Sequence, residues 1–387
     1  MRSTRALIHL DNLEHNIYEI KKCISSKTKM CIAVKADAYG HGAVECARVA
    51  VKCGADFLAV ATVDEGIELR NAGIKVPLLM LSLCSPDEVM SAVENDITPL
   101  VFDTEYASLF NDACEDLGKI DYPIHLAVDT GMGRIGCLSE EAGRIAKEIS
   151  LLVNIKLSGM CTHFAVSDSL KEDDIKYTEL QFKKFQDAVN SVREAGLNPG
   201  ICHCANSAVT LNNPEMHLDM VRPGIIVYGY YADEISKEFL ETKNIHVDLK
   251  PVMTFETEIC SLRNFLPDSS IGYGRTWTAP AHTTIAVLPV GYADGMLRNF
   301  STSGVKVSVN GEAFPVRGRI CMDQCMIDIG NESNIRRWDK AVIFGDERFG
   351  ALQTADDVAR LTGTISYEIT CGVSKRVPRV FLTSETK

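Results

Sequence analysis

The pattern of apolar and polar positions divides the chain into two halves of different period. Apolar runs at 30–35, 56–61, 76–81, 97–102, 122–129, 155–163, 200–206 and 220–228 read as buried strands, and stretches between them, such as 44–52 and 177–195, carry apolar residues at helical spacing. Eight β units alternating with helices predict a (β/α)8 barrel, with chemistry on the loops that follow each strand. An open doubly wound sheet is the alternative; no Gly-x-Gly-x-x-Gly follows the first strand to support it. Past residue 250 the helical spacing fades. Short alternating runs take over at 252–259, 284–290, 305–309, 326–329 and 341–344, separated by turn signals such as Asn310-Gly311, with one helical stretch at 354–361. The expectation is an α/β chain, a barrel over 11–240 followed by a mostly β domain over 250–387. The opening segment 1–10, with its apolar run at 6–10, is expected to join that second domain. Asp11 with Glu14 three residues on reads as a capping box for a helix running to about Lys22.

Composition narrows the partners. A chain of 387 residues exceeds one typical core, and its 46% hydrophobic and 24% charged content is that of a globular protein. The formal charge of −12, with no basic run, argues against nucleic acid or an anionic membrane and leaves a small molecule as the expected ligand. The amino terminus lacks the apolar core of a signal peptide and no run is long enough to span a bilayer, so a cytoplasmic location is expected. The 14 cysteines are scattered irregularly and read as reduced thiols. Cys202-His203-Cys204 and the pair Cys321 and Cys325 lack zinc-site spacing, and no metal is expected.

Candidate chemistry centres on Lys35, where a buried strand gives way to a small-residue segment with two glycines. A lysine there either snorkels to water or, desolvated, becomes a neutral amine fit for Schiff-base or base chemistry. Under the barrel reading, Lys35, Asp129, Arg134, His163, His203, Asn206, Ser207, Arg222 and Gly224 all face one mouth. Asn206-Ser207 after strand seven and Gly224-Ile225 after strand eight occupy the usual phosphate position of barrels. A lysine together with a phosphate site points to pyridoxal phosphate.

These residues also fall in motifs. Ala-Val-Lys-Ala-Asp-Ala-Tyr-Gly-His-Gly at 33–42, Val-Asp-Thr-Gly-Met-Gly-Arg-Ile-Gly at 128–136, Thr-His-Phe-Ala at 162–165, Ala-Asn-Ser at 205–207 and Val-Arg-Pro-Gly-Ile at 221–225 resemble the alanine racemase family. So do Ile-Gly-Tyr-Gly-Arg-Thr-Trp at 271–277, Pro-Val-Gly-Tyr-Ala-Asp-Gly at 289–295, Arg-Ile-Cys-Met-Asp-Gln at 319–324, and the closing Ser-Tyr-Glu and Arg-Val-Pro-Arg. The resemblance spans nearly the whole chain, in order. It implies a homodimer that interconverts L- and D-alanine for peptidoglycan, with pyridoxal phosphate carried on Lys35. Lys35 and a partner subunit's Tyr273 would be the two bases a racemase needs on opposite faces of its substrate. It further implies that Arg222 faces the ring nitrogen and His163 orients it. Tyr39, Ser207, Gly224, Ile225 and Tyr367 would hold the phosphate with Asn206 alongside, and Arg134 and the Met322 backbone N–H would meet the substrate carboxylate.

One departure stands out. Many members carry a carbamylated lysine seven residues before the arginine, where this chain has Ala127, so that negative charge is absent or supplied otherwise. Serine racemases of the resistance type share the motifs and are the close alternative; they carry a smaller residue where this chain has Tyr367. A non-catalytic pyridoxal-phosphate-binding barrel would lack the second domain and Tyr273. A barrel decarboxylase would place an acid, not Arg222, at the ring nitrogen.

Overall fold

The computed structural model describes residues 2–331 and 333–383. Its first part is a closed barrel of parallel strands: Lys29–Ala33, Phe57–Val60, Leu78–Met80, Ile97–Thr98 with Leu100–Val101, Tyr122–Asp129, Ile155–Cys161, Ile201–His203 and Met220–Val221. The fourth strand is split at Pro99, which has no N–H to give to the ladder. Registers run from Met220 opposite Lys29 through Cys31 opposite Phe57 and Leu100 opposite His125 to Ile201 opposite Gly159. Asp219 N to Cys202 O (3.1 Å) and Arg222 N to Ala205 O (2.8 Å) join the last two strands and close the ring.

Two local expectations are corrected. The run at 220–228 is strand only at Met220–Val221, because Pro223 and Gly224 break it and Ile225–Tyr228 wind into a 3-10 turn. The first helix, Leu10–Lys22, begins two residues earlier than a cap at Asp11 would allow. The strand Arg5–His9 runs straight into it, His9 takes the cap position without a side-chain bond, and Asp11 sits in the first turn, where its charge suits the helix dipole.

Arg5–His9 lies in a six-stranded sheet, antiparallel to Met253–Glu258 and parallel to Arg379–Leu382, with Lys340–Phe344, Lys306–Val309 and Glu312–Pro315 beyond. A second sheet holds Ser261–Phe265, Thr283–Leu288 and Cys325–Gly330. The helices Ala355–Thr362 and Ser366–Cys371 return the chain toward the barrel mouth. Between barrel and sheet, Asn12 donates to the Asp346 carboxylate at 2.8 Å and accepts from Arg348 at 2.6 Å. Burial pushes the Asp346 carboxyl up, but the bonds from Arg348 and Asn12 outweigh it and hold it at about 2.

Candidate active site

Lys35 leaves the first barrel strand into an unusual turn. Ala36, Asp37, Ala38 and Tyr39 all have φ between 52° and 54°, a run of left-handed residues without a glycine among them. Each costs about 1–2 kcal/mol relative to a right-handed residue, so the surroundings must over-determine the run. They do so from three sides. Glu65 accepts from Ala36 N (2.7 Å) and Ala61 N (2.7 Å), and the Asp37 carboxylate accepts from Ala43 N (2.7 Å). Gly40 ends the run at φ 85° with its Cα against the Thr370 carbonyl, where a Cβ would stand 2.3 Å away, and Arg379 Nε donates to Gly40 O at 3.0 Å. The carboxy-terminal segment therefore clamps the lysine turn. Desolvation, and then the nearby Arg134 charge, pull the Lys35 amine below its ordinary pKa of 10.5, toward the neutral form that can act as nucleophile or base.

Lys35 lines a cavity with Ala127, Asp129, Arg134, Thr162, His163 and Arg222. The Arg222 guanidinium is buried at 7% exposure. Its Nη1 donates to His203 Nδ1 at 2.6 Å and to His203 O at 2.9 Å; its Nη2 donates to Thr162 O at 2.8 Å and meets His163 Nδ1 at 3.3 Å. Because Nδ1 of His203 accepts, Nε2 carries the proton and donates to His125 Nδ1 at 2.8 Å. Desolvation, reinforced by Arg222, keeps His203 far below its usual pKa and holds His125 and His163 at about 3. All three rings are neutral and Arg222 carries the charge. With both terminal nitrogens committed, Nε is the guanidinium donor left for a ligand.

A second set of donors lies beside this cavity. Gly224 N donates to Ser207 Oγ at 2.9 Å, which leaves the hydroxyl proton free to point outward. A Cβ on Gly224 would stand 2.6 Å from the Tyr39 hydroxyl and 3.7 Å from Ser207 Oγ, so only glycine lets these groups converge. Ile225 opens the 3-10 turn whose first N–H groups have no partner within it. The Tyr367 ring lies 5.8 Å from that of Tyr39. Asn206 is committed differently: its Oδ1 accepts from Val209 N (3.1 Å) as a helix cap and its Nδ2 donates to Ser167 Oγ (2.8 Å). A primary amine, a spare guanidinium N–H and a hydroxyl and backbone N–H cradle fit the aldehyde, ring nitrogen and phosphate of pyridoxal phosphate.

Tyr273 and Met322 do not line this cavity. Tyr273 stands 68% exposed on a turn between Gly272 and Gly274, over a groove of Arg263, Phe265, Ile285 and Met326, and Met322 is 53% exposed. The Met322 loop is tied to the turn at 291–295. Tyr292 N donates to Cys321 O (3.0 Å) and Ala293 N to Met322 O (3.0 Å), while fully buried Asp294 pairs with Arg2 (2.6 Å) and Arg376 (2.6 Å).

Family models for the alanine racemase N-terminal domain and C-terminal domain match residues 8–232 and 252–381. The chain belongs to the alanine racemase family. It is 47% identical over 384 residues to an alanine racemase of Treponema denticola, with 99% of each chain covered, and 42% identical to one of Desulforamulus reducens, covering 97% and 98%. Among solved structures, alanine racemase of Clostridium difficile superimposes with a TM-score of 0.92 at 37% identity, covering 99% of this chain and 97% of that one. Alanine racemase of Bacillus anthracis with bound L-Ala-P gives 0.90 at 32% identity, covering 99% and 96%.

Within this alanine racemase fold, sequence reasoning placed His163 behind Arg222 and missed the shorter bond that Arg222 donates to His203 and the support of His125. The available signal was a histidine between two cysteines at a strand end. Alternation turned it away from its neighbours, but only barrel closure shows that its side faces Arg222. Glu65, Asp294 and Arg379 were also missed as the residues that fix the loops.

Proposed function

We propose that this chain is a pyridoxal-phosphate-dependent alanine racemase, a cytoplasmic homodimer that supplies D-alanine for peptidoglycan. The observation that carries the reading is the meeting, in one cavity, of a desolvated Lys35 and an Arg222 whose only uncommitted donor is Nε. When bound, pyridoxal phosphate supplies the electron sink that acidifies the α-hydrogen of an amino acid. The protein's residues do the rest. Lys35 would hold the cofactor and its amine would move a proton on the D face of the substrate; Tyr273 of the partner subunit would move one on the L face. Arg222 keeps its own protons, so it donates a hydrogen bond to the ring nitrogen without protonating it, which favours simple return of the proton over side reactions. Arg134 and the Met322 N–H of the partner subunit bind the substrate carboxylate. Tyr39, Ser207, Gly224 and Ile225 hold the phosphate, with Tyr367 packed beside it.

The exposure of Tyr273 and Met322 away from the Lys35 cavity supports a site completed across two subunits. The test is racemisation of L-alanine and L-serine by the purified protein with added cofactor, the D-isomer followed by chiral chromatography. A higher kcat/KM for alanine is expected, since the resistance-type serine racemases carry a smaller residue where this chain has Tyr367. Preference for serine would move the reading to serine racemase; failure with both would leave cofactor binding without racemisation.

A further inference from the structure

Arg134 is exposed and makes no hydrogen bond or ion pair among the described residues, although it lines the Lys35 cavity. Nothing grips its guanidinium, so its position depends on the loop that carries it. That loop is held by the long helix Glu172–Glu194. Tyr177 and Gln181 stand at i and i+4 on one face of this helix. The Tyr177 hydroxyl donates to Gly131 O at 2.8 Å, and Gly131, at φ 141°, comes so close that a Cβ would stand 2.3 Å from that hydroxyl. Gln181 is fully buried and commits its whole amide: Nε2 donates to Thr130 Oγ1 and to His163 O, both at 3.2 Å, and Oε1 accepts from Ala165 N at 3.0 Å. Inside the loop, Asp129 accepts from Gly131 N at 2.9 Å and Gly133 N at 3.1 Å. Thr130 in turn bonds Thr162 at 2.8 Å, whose carbonyl takes Arg222.

We propose that Tyr177 and Gln181 are positioning residues that aim Arg134 at the substrate carboxylate, taking through the backbone the part that a charged side chain at Ala127 would otherwise play. Gln181 sets the spacing between the Arg134 loop and the loop bearing His163; Tyr177 fixes the loop's tip. The proposal rests on Arg134 binding that carboxylate.

The test is a double-mutant cycle on the holoenzyme with Tyr177→Phe and Arg134→Ala, reading alanine KM and kcat and the inhibition constant of propionate, a carboxylate without an amine. Loss of one hydrogen bond to the loop is expected to raise KM and the propionate constant together by about fivefold with kcat and cofactor affinity little changed, and to have no further effect once Arg134 is alanine. Unchanged constants, or effects that multiply in the double variant, would overturn it. Gln181→Met should act in the same direction; if it does not fold, Tyr177→Phe decides. Wild-type protein that racemises no alanine would refute the racemase reading separately. The tether is then read by hydrogen exchange at the Gly131 and Gly133 amides, where faster exchange in Tyr177→Phe supports it and unchanged exchange refutes it.

Discussion

Replacing His203 by leucine tests how Arg222 is held. The substitution keeps a side chain of similar bulk but removes the acceptor 2.6 Å from Arg222 Nη1 and the donor 2.8 Å from His125 Nδ1. A hydrogen bond to a charged group contributes about 1.5–3 kcal/mol, and a buried ring nitrogen left without a partner costs about 1–3 kcal/mol. Arg222 keeps its bonds to the carbonyls of residues 203 and 162, so the guanidinium stays buried but loses the contact that fixes its tilt. A loss of about 3–5 kcal/mol in folding stability follows from those figures. If about 2 kcal/mol of it is expressed as misplacement of Nε, kcat/KM for alanine falls on the order of 30-fold. The variant His203→Gln offers one acceptor and one donor at similar separation and should recover most of both quantities. The assay is kcat/KM with saturating cofactor, alongside the denaturant midpoint at constant m. A leucine variant within twofold of wild type, or a glutamine variant no better than leucine, would refute the reasoning.

Acid should destabilise the protein unusually early. His41, His125 and His163 have folded-state pKa values of about 4, about 3 and about 3, and His203 is also strongly depressed, all mainly by burial. The unfolded chain binds these protons first, so stability is complete above about pH 6.5 and falls as pH drops toward the folded values, by about 1.4 kcal/mol per group at pH 5.5. A denaturant midpoint that stays flat from pH 7 to pH 5.5 would contradict this. Gly40→Ala, whose Cβ would meet the Thr370 carbonyl at 2.3 Å with φ at 85°, should weaken cofactor capture at Lys35, read by absorbance titration. Arg134→Ala should raise the Lys35 pKa by removing the second cause of its depression, so the pH midpoint for cofactor capture by the apoprotein moves upward.

Much of the barrel was legible because parallel strands covered on both faces read as continuous apolar runs, and each run from 30–35 to 200–206 contains an observed strand. Ser261–Phe265 was not legible: Arg263 and Asn264 are exposed and its pattern is not apolar. The left-handed run after Lys35 left no local signal either. Ala36 and Ala38 have no preference for positive φ, and the conformation comes from Glu65, Thr370 and Arg379, which are remote in sequence. Tyr177 and Gln181 read simply as members of a helical stretch, because nothing in their spacing says which loops the helix covers.

The proposed division of the site between two subunits can be measured directly. Lys35→Ala and Tyr273→Ala proteins, each expected to be inactive, are mixed, dissociated and reassociated, and alanine racemisation is assayed with added cofactor. If Lys35 of one subunit works with Tyr273 of the other, each mixed dimer contains one wholly intact site, and statistical pairing returns about one quarter of wild-type activity. No recovery, with mixed dimers present, would mean that the two residues act within one chain or not as a pair, and would contradict the two-base site.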